Sequence, residues 1–161
     1  MALVSVGCKA DSTALLDLSS FPKSDFTISS AAGPQRFEVR LATTPRQQSQ
    51  GLMFVRDLPA SEGMLFVNHE PRPMSMWMKN TFIALDMLFI DTRGRIVRIF
   101  ERTTPHSLDT LADPTPVKAV LELRGGECAR RGIKVGDLAH HATFKAPRPG
   151  KPRTPVPVEA R

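Results

Sequence analysis

Apolar residues in this chain come in short runs closed by Pro and Gly, and that constrains the fold more than any other feature. Even Ala84–Asp91, nearly all apolar, is far below the ~20 residues a membrane-spanning helix needs. Its composition suits a strand covered on both faces. Phe37, Val39 and Leu41 alternate with Glu38, Arg40 and Ala42, the period of a half-buried strand. Further strands are expected at Met64–Val67, Met74–Met78, Arg95–Phe100, Val117–Leu123 and Leu138–Phe144, with a Pro-broken loop from Thr103 to Pro116. Asp91-Thr92-Arg93-Gly94 reads as a hairpin turn with Gly94 at a positive φ. Thr44-Pro45-Arg46-Gln47 reads as a helix start: Thr44 caps, Pro45 occupies the first turn, and Gln47 bonds back. Gly51 ends that helix after about two turns. Gly125 to Gly132 brackets one more helical turn. The expectation is a mostly β or α+β domain, a compact antiparallel barrel of about seven short strands with one or two short helices.

With 161 residues there is room for one core. Residues 36–145 hold the strand pattern. Residues 1–35 are Ser- and Ala-rich with little periodicity and read as a tether. Residues 146–161, with Pro147, Pro149, Pro152, Pro155 and Pro157, read as a disordered basic tail. Lys145, Arg148, Lys151, Arg153 and Arg161 against Glu159 put most of the net charge of +6 into the last seventeen residues. The folded part therefore has no basic excess suited to nucleic acid, and the tail has no aromatic to stack on bases, so no nucleic-acid partner is expected. Two cysteines exclude a disulfide scaffold and a four-cysteine zinc site. Cys8 follows a short apolar run and a small residue, which resembles the lipobox of bacterial lipoproteins, with Ser5 where that pattern has Leu. If the natural start lies upstream, this implies a lipid anchor at Cys8 and a periplasmic or envelope-attached protein. If the start is Met1, the expectation is a cytoplasmic one.

Six stretches stand in an order that resembles a single family. They are Gly51-Leu52-Met53-Phe54 with Arg56 and Leu58-Pro59; Gly63–Val67; Trp77-Met78-Lys79-Asn80-Thr81; Leu85–Asp91 with Gly94; Val120-Leu121-Glu122-Leu123; and Gly132–Asp137. The family is domain of unknown function 192, and the resemblance spans residues 36–144. It implies a small β-rich fold, often exported, and implies no reaction.

Asp86 and Glu122 each stand between apolar neighbours, where a carboxylate needs a partner. Lys79, Arg56 and Lys134 are candidate cations, and Asn80 and Thr81 can satisfy turn amides. Two carboxylates with a lysine suit general acid–base work. The same groups can instead form a network that fixes strand register and the loop after Lys79, and that reading is preferred. Met74, Met76 and Met78 share one strand face; with His69 they are candidates for a soft Cu(I) or Ag(I) site, against the alternative of core packing. Trp77 points to the opposite face, with Lys79, Asn80 and Thr81 beside it at a strand end. The expected function is a non-catalytic, ligand- or partner-binding domain of the cell envelope that presents the Trp77–Thr81 loop to a small ligand or envelope protein. No cofactor is expected. The alternatives are a small hydrolase using Asp86 and Glu122 and, further back, the soft-metal protein.

Overall fold

The computed structural model describes residues 14–144. Cys8 and the proline-rich tail lie outside the described residues. After a short 3-10 turn at Leu18–Ser20 the elements run β1 (Lys23–Ser30), β2 (Gly33–Ala42), α1 (Pro45–Gln50), β3 (Glu62–Met76), β4 (Leu85–Ile90), β5 (Ile96–Phe100), β6 (Leu111–Arg124), α2 (Glu127–Arg131) and β7 (Leu138–His140). They form one seven-stranded sheet in the order β5-β4-β6-β3-β2-β1-β7. Every pairing is antiparallel except β2 with β3.

The sheet curls until its edges touch. The Ile96 N–H donates to the Asp137 carbonyl at 3.0 Å and the Ala139 N–H to the Gly94 carbonyl at 2.7 Å. Arg95 bridges Leu138 at the same seam. Strand alternation then divides the side chains between two faces. One face collects Phe26, Ile28, Val39, Leu65, Leu88, Leu121 and Ala139, drawn from both edges of the sheet, and α2 adds Cys128. This is the enclosed side of the curl. The other face carries Met64, Phe66, Met87, Phe89 and Val120, covered by Leu52, Leu58 and Met78 from the connecting segments. The barrel-like β fold expected from the short strands is present, with a second core laid over its outside.

Local chemistry explains the elements. Thr44 caps α1: the Gln47 N–H donates to Thr44 Oγ1 at 3.2 Å, and the Thr44 N–H donates to Gln47 Oε1 at 3.0 Å. Gly51 ends the helix at φ +50°, where a Cβ would lie 2.9 Å from the Phe66 ring. No larger residue lets this turn rest on the sheet. In the β4–β5 hairpin Gly94 has φ +83°, and a Cβ there would stand 2.3 Å from the Ala139 carbonyl oxygen.

Four expectations are corrected. The segment read as a tether contains β1, whose Phe26 and Ile28 are buried; two apolar residues among Ser, Asp and Thr are enough once β2 and β7 pair on either side. Met64–Val67 and Met74–Met78 belong largely to one strand, β3, interrupted by register shifts between Val67 and Met74. Residues 111–116, read as loop, open β6 opposite that irregular stretch, where Pro114 and Pro116 are exposed. The final strand stops at His140 rather than Phe144.

Candidate functional site

Glu122 takes its place from the alternation of β6. Leu121 and Leu123 fill the enclosed core, so Glu122 points with Val120 to the outer face. Its ladder neighbours are Met64 on β3 and Met87 on β4, neither of which can pair with a carboxyl group. Glu122 is 4% exposed, and its Oε2 has no hydrogen-bond partner among the described residues. Burial alone pushes its pKa from 4.5 to about 8, so the side chain is predominantly a neutral acid at pH 7.

This acid lines a cavity of about 80 Å³, which is bounded by the end of α1, by Gly51–Met53, by Ser75–Trp77, and by Lys79 and Thr81. A more open cavity of about 370 Å³ shares Ser49, Gln50, Met53, Trp77 and Lys79 with it and adds Arg46 and Asn80. The two adjoining cavities together make a cleft, with Glu122 on the lining of the smaller one. The loop on its rim is pinned from both sides. The Met78 N–H donates to the Ser107 carbonyl, the Phe54 N–H to the Asn80 carbonyl, and the His106 N–H to the Thr81 carbonyl. Phe54, Asn80 and His106 all have positive φ, between 55° and 64°, so backbone strain gathers around this loop. Trp77 is 50% exposed, and Lys79 Nζ sits 5.2 Å from its ring centroid.

The remaining candidates lie elsewhere. Asp86 faces the enclosed core, since its ladder partner is Leu123 rather than Glu122. Its Oδ1 accepts from the Arg102 and Gly126 N–H groups and its Oδ2 from Cys128 N–H, at 2.8–2.9 Å. It is a satisfied anchor for the start of α2. The two carboxylates therefore do not converge, and the acid–base pairing considered from sequence has no geometry to support it. Arg56 lies over the Phe82 ring at 4.9 Å, and neither it nor Lys134 forms an ion pair with either acid. Asn80 Nδ2 lies 4.0 Å from Met53 Sδ, and Thr81 Oγ1 donates to the Lys79 carbonyl. Met74 and Met78 are buried in the outer core with Met76 packed against it, and Met78 Sδ accepts from Thr103 Oγ1. The His69 side chain is 99% exposed and turned to solvent, away from these thioethers. The cleft wall formed by Gln48–Gln50 went unsuspected. Its only signal was its position just before the Gly51-Leu52-Met53 stretch.

Fold and site define a small, curled β domain that carries a cleft on the outer face of its sheet, with a buried acid at the inner end. The chain matches the DUF192 family, described as "Uncharacterized ACR", over residues 27–141, and it belongs to that family. Two solved structures are similar. One is a protein of Sinorhizobium meliloti 1021 named a "putative transcription regulator", 41% identical, covering 78% of this chain and 98% of its own, with a TM-score of 0.75. The other is a protein of unknown function from Novosphingobium aromaticivorans DSM 12444, 35% identical, covering 80% and 91%, with the same TM-score. No curated protein matches.

Proposed function

We propose that this chain is a small-ligand-binding domain whose ligand enters beside Trp77 and Lys79 and ends at Glu122. One observation carries the reading. Three stretches that bear the family resemblance and lie far apart in sequence (Gly51–Met53, Trp77–Thr81 and the strand holding Glu122) line a single cavity. Leaving a buried polar atom unpaired costs about 1–3 kcal/mol, and folded proteins seldom leave one without a reason. A ligand that supplies the missing partner is such a reason. Catalysis by a pair of carboxylates is disfavoured, because Asp86 is saturated on the opposite face. The name of the Sinorhizobium protein, a "putative transcription regulator", is not extended to this chain: among the described residues α1 and α2 have six and five residues, too short to serve as a groove-reading helix. Envelope attachment through Cys8 belongs to the same proposal. Membrane fractionation of the native protein and of Cys8→Ala tests it, and a cytosolic wild type would refute it.

Native mass spectrometry of the full chain purified without denaturation tests the binding role. The wild type retains a small molecule that Trp77→Ala loses while still folded. If each protein shows only the mass of its own bare polypeptide, after incubation with a cell metabolite extract, the reading is overturned.

A further inference from the structure

The cleft is electrically lopsided. Among the described residues, Glu122 and Lys79 are the only ionisable side chains that line the inner cavity. Among the described residues, the outer cavity carries Lys79 and Arg46, whose Nη2 donates to the Ala14 carbonyl at 2.7 Å, and no acidic residue. An acid on the inner cavity alone, Arg46 on the outer cavity alone and Lys79 shared between them match a guest with a positive inner end and a negative outer end. Size narrows this further. The inner cavity, about 80 Å³, is larger than a single water requires and much smaller than the outer one. An ammonium with a methylene or two fits there, and the rest of the guest lies outside.

We propose that the cleft binds a small aliphatic amino-carboxylate, its ammonium against Glu122 and its carboxylate between Lys79 and Arg46. This rests on the reading of the cleft as a ligand site and specifies its ligand class. The unpartnered Oε2 gains a donor, and Thr81 and Ser75 are among the residues that line the same cavity. Other charges do not interfere. Met64 and Met87 flank Glu122 on the sheet, α1 presents Gln48 and Gln50, and Arg40 on the same sheet face is engaged by Glu62 beyond Met64. Because burial holds Glu122 protonated at neutral pH, an arriving ammonium displaces its proton to solvent.

Calorimetric titration of the full chain at neutral pH, in two buffers of different ionisation heat, tests this. The probes are β-alanine, γ-aminobutyrate and δ-aminovalerate, with n-butylamine and butyrate as single-ended controls. At least one amino-carboxylate is expected to bind about tenfold or more tightly than either control, releasing close to one proton. Glu122→Gln, folded by circular dichroism, should lose both the affinity and the proton release, and Lys79→Ala the advantage over n-butylamine. Preference for butyrate or n-butylamine, abolished by Trp77→Ala, would overturn the ligand class while leaving the cleft as a ligand site. Absence of binding by every probe would overturn the class as well, and with only bare-polypeptide masses for both wild type and Trp77→Ala it would remove the site reading too.

Discussion

Asp86 and Glu122 look alike in sequence, each an acid between apolar neighbours, yet they meet opposite fates. Asp86 is fully buried and accepts from three backbone N–H groups that no other side chain serves. Asp86→Ala strands those donors, and chemical denaturation should record a loss of about 3 kcal/mol or more. Among the described residues Glu122 has no such partners, and the consequence is a dependence on pH. The unfolded chain ionises this group near 4.5, whereas the folded chain holds its proton up to about 8. Between those values the unfolded state has lost a proton that the folded state keeps, so stability falls as pH rises and levels off above the folded pKa. At ~1.4 kcal/mol per pKa unit the fall amounts to a few kcal/mol. Glu122→Gln mimics the protonated side chain and should flatten that slope, leaving the variant more stable than the wild type at high pH. Urea unfolding at about pH 5 and about pH 8.5 measures the difference. Sequence showed that both acids were costly to bury. It could not show which was satisfied, because the partners of Asp86 are main-chain groups from segments 16 to 42 residues away.

Elements whose stability is local were the legible ones. The Thr44–Gln47 capping box and the Asp91–Gly94 turn close within a few residues, so their residue types suffice to predict them. β1 was not legible, since Phe26 and Ile28 are apolar signals too sparse until β2 and β7 supply hydrogen bonds on both sides. The closing seam depends on contact between distant elements, and Gly94 is its tightest point. Gly94→Ala puts a methyl carbon against the Ala139 carbonyl in a backbone conformation that alanine rarely adopts. The expected outcome is faster hydrogen exchange at Ile96 and Ala139, the amides that bridge the seam, with α1 and β3 unaffected. Loss of protection throughout the sheet would instead mean that the seam holds the whole fold together.

At the scale of the molecule, the sheet separates two tasks. Its enclosed face holds a closed apolar core anchored by Asp86, and its outer face carries a cleft built from the α1 turn, the Trp77–Thr81 loop and Glu122. The loop was visible in sequence as a candidate. Its opposition to α1 was not, because β3 and β6 must first bring those segments together. Trp77, half exposed on the rim, should be dispensable for folding: Trp77→Ala is expected to change unfolding stability by less than about 1 kcal/mol while abolishing ligand retention. A loss as large as that of Asp86→Ala would make Trp77 a structural residue. The central claim is that the cleft ends in a buried acid kept without a partner for a ligand to complete. The most direct measurement is a ¹³C NMR titration of the Glu122 side-chain carboxyl in the unliganded full chain. The account predicts a midpoint near 8, and a midpoint near the ordinary 4.5 would contradict it.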